Sequence, residues 1–295
     1  MTATLSAGTI IGLYFMQKYR FLTIAQFAKI TGFSPYHSGE VLRGLERWGY
    51  IGYFGNIRIP GQGKTPKVYY LKRKGWETVC LESNEDIPPF SEVQKETTWT
   101  PKMYHRLKTI DLLLSLEIAI RNRPHLRMIK VFLEYRMVKK GSSVARETTD
   151  FVAPEETSDN KLVPDAAFII ENIETKKRAL FFVEMDMGTE RIVSQNPRDI
   201  RQTLHYKVSQ YDKYLKSSRY RQTYAPYGEF RFFTLLLVTL SEQRVENVRR
   251  ELQDLPEALG AYNRFTSYEQ ATGDFLGAIW KSRLLSDTTL YPLVR

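Results

Sequence analysis

One cysteine in 295 residues, Cys80, leaves no disulfide framework and no cysteine-based zinc site, and it fits a reducing compartment. The four histidines, His37, His105, His125 and His205, are scattered, and the lack of any H-x-H argues against a histidine-held metal. No apolar run approaches the roughly 18 residues of a membrane span. The opening MTATLSAGTIIGLYFMQKYR has no basic stretch before its apolar residues and no small-residue cleavage site, so it does not read as a signal peptide. A cytoplasmic protein without a membrane partner is expected. G-x-x-x-x-G-K-[ST] is missing too, and GQGKT at 61–65 is too short to cradle a nucleotide phosphate. Apolar and aromatic residues are not scarce, at 42% and 13%, so the chain can bury one large core or two ordinary ones.

Acidic residues are scarce in one place. Residues 1–80 hold 11 Lys/Arg and 3 Asp/Glu, about +8 of the total +10. That concentration suits a module that meets an anionic polymer, although a solvated basic face gives the same count. The spacing of Ile10, Leu13, Tyr14 and Met16 predicts a helix ending near Tyr19. Thr23 is placed to cap a second helix that stops at Gly32, and Ser34 with Pro35 to start a third that runs to about Trp48. In that third helix Ser38, Val41, Leu42, Leu45 and Trp48 fall on one face, and Tyr36, His37, Glu40, Arg43 and Arg47 on the other. GYIGYF and KVYYLKRKG then flank the basic loop GNIRIPGQGKTP, which predicts a hairpin. Three helices and a hairpin are the order of a winged helix-turn-helix over residues 1–80. Its third helix would enter the major groove of double-stranded DNA with Tyr36, His37, Arg43 and Arg47, while Arg58, Lys64 and Lys67 would meet phosphates. Winged helices also serve as protein-binding modules. Residues 81–101, polar and broken by prolines, read as a linker.

Residues 102–295 read as a second domain with the order α-β-β-β-α-β. PKMYHRLKTIDLLLSLEIAIRNR gives a helix, MIKVFLEYRMV a strand, and the 23 residues 139–161 a long polar loop. Strands follow at LVPDAAFIIE and RALFFVEMD, with a turn at 172–177 between them. A helix at 199–216 comes next, with Ile200, Leu204, Val208, Tyr211 and Leu215 facing the sheet, and then the strand FRFFTLLLVTL.

RALFFVEMD is apolar on both faces until Glu184, as expected of a central strand, and then presents Glu184 and Asp186 on the same side. Two carboxylates so close repel unless a cation sits between them, and a hard ion such as Mg²⁺ or Mn²⁺ takes such oxygen ligands. Asp165, after the ladder-breaking Pro164, begins the preceding strand, and a hairpin turn at 172–177 brings it beside that pair. Lys207 lies at the edge of the sheet-facing stripe of the next helix, where an ammonium either snorkels to water or serves a phosphate. Asp165, Glu184 and Asp186 are the expected metal ligands, with Lys207 as the fourth catalytic group. His105 and Asp111 are candidates for an outer layer of the site or for plain helix surface.

This set resembles the PD-(D/E)xK nuclease superfamily, whose restriction-endonuclease-like core has the same α-β-β-β-α-β order in a mixed sheet. Pro164-Asp165 matches the PD, and Glu184-Met185-Asp186 stands at (D/E)-x-K with Asp186 in the lysine's place. Lys207 is available for the role that some members give to a lysine on the following helix. The whole chain resembles the replication-relaxation family, which includes MobC-type plasmid mobilisation relaxases. The resemblance rests on the winged helix, LVPDAAFII, FFVEMDMGTER, HYKVSQYDKY and FTSYEQATGDFLGAIW. It implies an α+β fold and a Mg²⁺- or Mn²⁺-dependent endonuclease that nicks plasmid or mobile-element DNA in replication or mobilisation. In that reading the metal activates a water and Lys207 stabilises the developing charge. One site per chain cuts one strand, so a double-strand break would need a homodimer or two visits. Accessory replication or mobilisation proteins are open as partners. Covalent attack by Tyr206 or Tyr211 is a further route. The alternatives are a DNA-binding regulator or replication initiator with an inert nuclease-like domain, and an assembly protein that binds partners through its second domain.

Overall fold

The structure is a computed structural model that describes residues 5–55, 58–59, 63–83, 87–140 and 143–294, except for the side chains of residues 58, 59, 63, 64 and 95. The fold is mixed α+β and divides into two compact units, Met1–Leu114 and Ser115–Arg295.

The first unit opens with α1 (Ala7–Tyr19), α2 (Ile24–Thr31) and α3 (Pro35–Arg47). Ser6, Thr23 and Ser34 each cap a helix by accepting a backbone N–H. Thr23 and Gln26 complete a reciprocal capping box, and Gly32 ends α2 at φ 76°, a left-handed conformation that glycine takes without steric cost. Strands β1 (Ile51–Phe54), β2 (Arg58–Ile59), β3 (Gly63–Lys64) and β4 (Val68–Leu71) follow. β1 pairs antiparallel with β4 and β2 with β3, so the expected hairpin is present.

Helices α4 (Arg73–Glu82) and α5 (Phe90–Glu96) come next, then α6 (Met103–Arg121), which runs across the division between the units. Three expectations change here. Residues 73–75, read as strand, begin α4. The expected linker holds α5, whose Glu96 makes a buried ion pair with Arg20 at 2.6 Å. Trp48, expected on the inner face of α3, is 50% exposed, because the helix ends one residue before it.

In the second unit the strands are β5 (Leu126–Leu133), β6 (Met137–Lys140), β7 (Ser143–Arg146), β8 (Asp150–Phe151), β9 (Lys161–Leu162), β10 (Ala166–Asn172) and β11 (Arg178–Asp186). They are followed by α7 (Leu204–Ser217), α8 (Tyr220–Thr223), β12 (Phe233–Thr239), α9 (Glu242–Glu251), β13 (Asn263–Ser267), α10 (Tyr268–Gly273), β14 (Trp280–Ser282) and β15 (Leu290–Tyr291). Seven strands form one mixed sheet in the order β15-β14-β13-β12-β11-β10-β5. β11 is central, antiparallel to β10 and parallel to β12. Its turn from β10 is set by Asn172, whose Oδ1 accepts from the backbone of Glu174 and Thr175 at 3.0 Å each.

The α-β-β-β-α-β order is present as α6, β5, β10, β11, α7 and β12. The stretch 139–161, expected as an irregular loop, instead forms the β6–β7 hairpin and the short β8–β9 pair. It is tied down by Thr148 Oγ1, which donates to the Pro164 carbonyl at 2.7 Å, and by a hydrogen bond from the Tyr214 hydroxyl to Asp150. Leu180 and Phe182 of β11 pack with Val208, Tyr211 and Tyr214 of α7, with Val245 and Val248 of α9, and with Phe233. On the opposite face Phe181 stacks on Phe168 with ring centroids 4.9 Å apart. Among the described residues no helix is long and apolar enough to cross a membrane.

Candidate functional site

Glu184 and Asp186 continue the side of β11 that carries Leu180 and Phe182, so both emerge beneath α7 and α9. The register Ala166↔Val183 sets Asp165 opposite Glu184, and Asp165 Oδ2 accepts the Met185 backbone N–H at 2.8 Å. Pro164 and Asp165 therefore stand beside the E-x-D pair. From α7, Lys207 Nζ reaches Glu184 Oε2 at 3.3 Å, and the Tyr211 hydroxyl donates to Glu184 Oε1 at 2.5 Å. Lys207 and Tyr211 are four apart, so one helix turn spans both carboxylate oxygens.

Glu184 is 2% exposed. Burial pushes its carboxyl up to about 8; the Lys207 ammonium pulls against that shift and Asp165 adds to it. Burial alone would lower the Lys207 ammonium, but Glu184, Asp165 and Glu190 outweigh it and hold the lysine above its usual value. Burial, then Glu184, raises the Tyr211 hydroxyl as well, so it stays a donor.

Asp186 goes elsewhere. Arg244 of α9 grips it, Nε to Oδ2 at 2.7 Å and Nη2 to Oδ1 at 3.3 Å, and Gly188 N donates to Oδ1 at 2.9 Å. Among the described residues no three of His, Cys, Asp and Glu are placed to hold a metal ion. The expected set of three does not fit Mg²⁺ or Mn²⁺ in this arrangement, because Asp186 is already neutralised by a guanidinium. Asp165, Glu184 and Lys207 are brought together; Asp186 is not.

Two residues that sequence reasoning missed complete the site. Glu190 meets Lys207 at 3.3 Å, and its carbonyl accepts from Arg244 Nη2 at 2.6 Å. Arg244 carried a faint signal, an arginine beside the inward Val245 and Val248, whereas Glu190 in an irregular segment carried none. Asp111, a candidate for the outer layer, accepts from Gln26 Nε2 within the first unit at 2.9 Å.

In the first unit, Tyr36, His37, Arg43 and Arg47 all lie exposed on α3, with Tyr36 at 78%. His37 packs edge-on to Phe33, and Arg43 pairs with Glu40 one turn back. Lys67 sits over the Tyr53 ring at 4.3 Å. The side chains of Arg58 and Lys64 lie outside the described residues.

The replication-relaxation family model matches residues 13–228, a span that holds most of α1, all of α2, α3 and β1 to β4, and Asp165, Glu184, Asp186 and Lys207. The chain belongs to that family. No curated protein matches it significantly. Among solved structures it is similar to Lactococcus lactis ZitR, wild type in complex with DNA, at 16% identity and TM-score 0.23, over 40% of this chain and 78% of that one. It is also similar to Bordetella bronchiseptica BpsR, at 16% identity and TM-score 0.24, over 40% and 83%. Superpositions this loose decide neither fold nor function. Replication-relaxation membership points to a role in plasmid replication or mobilisation.

Proposed function

We propose that this protein binds duplex DNA at a plasmid or mobile-element site during replication or mobilisation. In this reading α3 enters the major groove and the β1–β4 hairpin lies along the backbone. One observation carries it: Arg43 and Arg47 share the solvent face of a capped helix with Tyr36 and His37, while Leu42 and Leu45 hold its other face in the core. Arg43→Ala with Arg47→Ala should weaken binding to a cognate duplex at least thirtyfold, at about 1–3 kcal/mol per arginine contact. Fluorescence anisotropy at fixed salt would read this, and unchanged affinity would remove α3 from the interface.

The second unit is, on this reading, a nuclease-like PD-(D/E)xK core with Pro164-Asp165, Glu184 and Lys207 in the motif's places. Its polar cluster is closed: Tyr211 and Lys207 hold Glu184, and Arg244 holds Asp186. DNA binding without cleavage is the activity this arrangement supports best.

Nicking in the manner of MobC-type relaxases is a second reading, favoured by Lys207 lying 3.3 Å from a buried carboxylate beside Asp165. Asp165, Glu184 and Asp186 would then hold Mg²⁺ or Mn²⁺, and Lys207 would face the scissile phosphate. It requires an open form in which Arg244 releases Asp186. Supercoiled plasmid incubated with Mg²⁺ should stay intact; nicking that vanishes in both Glu184→Ala and Lys207→Ala would establish the enzyme instead.

A further inference from the structure

The chain between β11 and α7 is anchored at both ends and charged in the middle. At its start Gly188, at φ 72°, donates to Asp186, and Arg244 holds the Glu190 carbonyl. At its end Leu204 N and His205 N, in the first turn of α7, donate to the carbonyls of Arg191 and Ile192 at 3.1 and 2.9 Å. Between these anchors the Glu190 carboxylate reaches over to Lys207. A cavity of about 570 Å³ opens there, lined by Thr189, Arg191, Arg201, Gln202, Thr203 and Lys207, with Glu190 and Asp199 as its acids.

Three cations thus face one cavity: Lys207, shared between buried Glu184 and Glu190, and two arginines whose neutralising contacts are easily exchanged. Arg191 pairs with Asp199 at 3.3 Å and Arg201 Nη2 donates to Asp159 at 3.0 Å, and all four side chains are more than a third exposed. Exposed pairs of this kind contribute about 0–1 kcal/mol. Glu190 Oε2 is buried with no hydrogen bond among the described residues, although it lies 3.3 Å from the ammonium. Its other oxygen, Oε1, accepts from Lys207 Nζ at 3.4 Å, so one long bond holds the carboxylate to the ammonium. A phosphodiester, with two tetrahedrally placed free oxygens, can bridge the ammonium and a guanidinium fork, which a single carboxylate approaching from one side does not.

We propose that this cavity binds a phosphodiester of the nucleic-acid backbone, and that Glu190 occupies its cationic wall until the phosphate displaces it. This deepens the nucleic-acid reading above and rests on it. The exchange keeps the ammonium neutralised throughout, because one anion leaves as another arrives. Gly188 and the Arg244 bond to the Glu190 carbonyl fix the backbone on which the carboxylate swings.

The test titrates the full chain, at fixed salt, with a thymidine dinucleotide that carries one phosphodiester and, separately, with inorganic phosphate. Glu190→Gln removes the resident charge and should tighten dinucleotide binding about tenfold, the scale of one like charge removed a few ångströms from an anion. Arg201→Ala should weaken it in both backgrounds. Equal dinucleotide affinity in wild type and Glu190→Gln would overturn the displacement, and no binding by either would overturn the site. Inorganic phosphate binding more tightly than the dinucleotide would assign the cavity to free phosphate and overturn the backbone assignment. A dinucleotide is too small to engage a winged helix. Loss of duplex binding through α3 would therefore count against the function proposed above and leave this result standing.

Discussion

Arg244→Ala should destabilise the second unit by about 3 kcal/mol, at the lower end of the range for removing one partner of a buried ion pair. The Asp186 side chain is wholly buried and Arg244 is its charge partner, leaving the Gly188 N–H as its hydrogen-bond donor among the described residues once the guanidinium is gone. Arg244 is itself 21% exposed, so water can enter the vacated space and hold the loss to that lower end. The Asp186→Asn change in the same background should recover most of the loss, since a neutral amide oxygen still accepts from Gly188. Arg244→Lys should not restore it, because a lysine cannot hold both carboxylate oxygens and the Glu190 carbonyl in one fork. Urea unfolding of the four proteins at neutral pH measures this. A change below about 0.5 kcal/mol for Arg244→Ala, the range of ordinary surface substitutions, would mean that Asp186 has another source of neutralisation.

The stability difference between wild type and Glu184→Gln should depend on pH. The Glu184 carboxyl ordinarily titrates near 4.5 and is pushed up to about 8 in the fold, first by burial. Between these values the folded protein keeps a proton that the unfolded chain has released. The raised value therefore contributes stability that is complete below about 4.5, declines as pH rises through the window, and is gone above about 8. The decline approaches about 1.4 kcal/mol per pH unit. Glutamine accepts the Tyr211 hydroxyl bond and has no proton to bind, so it removes this dependence. From pH 5 to pH 8 wild type should lose roughly 3 kcal/mol relative to Glu184→Gln. A difference that stays flat over that range would show Glu184 ionised throughout, with the Lys207 ammonium outweighing burial.

Much of the fold was legible because its signals are local. Thr23, Ser34, Pro35 and Gly32 mark helix ends through their own backbone preferences, and each acts as its residue type predicts. β11 was readable to the residue, Arg178–Asp186, because an unbroken apolar run ending in charge has few other solutions in a central strand. Ile200 shows the limit. Helical spacing put it on the sheet-facing stripe of α7, but the helix starts at Leu204, behind the Thr203 cap, and Ile200 is 40% exposed in a 3₁₀ turn. Spacing alone cannot tell an α-helical turn from a 3₁₀ turn preceding its cap. The stretch 139–161 was misread because β6 to β9 pair in isolated two-stranded sheets, too short and too polar for an alternating pattern.

The site divides the same way. The sequence alone brought Asp165 to Glu184, since a hairpin with a turn at 172–177 admits one register that keeps the apolar faces inward, and it put Lys207 on the helix above them. Only the tertiary structure decided what each carboxylate faces. Asp186 is two residues from Glu184 and on the same side of the strand, yet it meets Arg244 from a helix 58 positions away. Glu190 reaches Lys207 across a segment with no period to read. Strand pairing and capping are fixed by neighbours in the chain or by one turn. Which cation answers a buried charge is fixed by the packing of helices onto the sheet, through contacts that leave no spacing in the sequence.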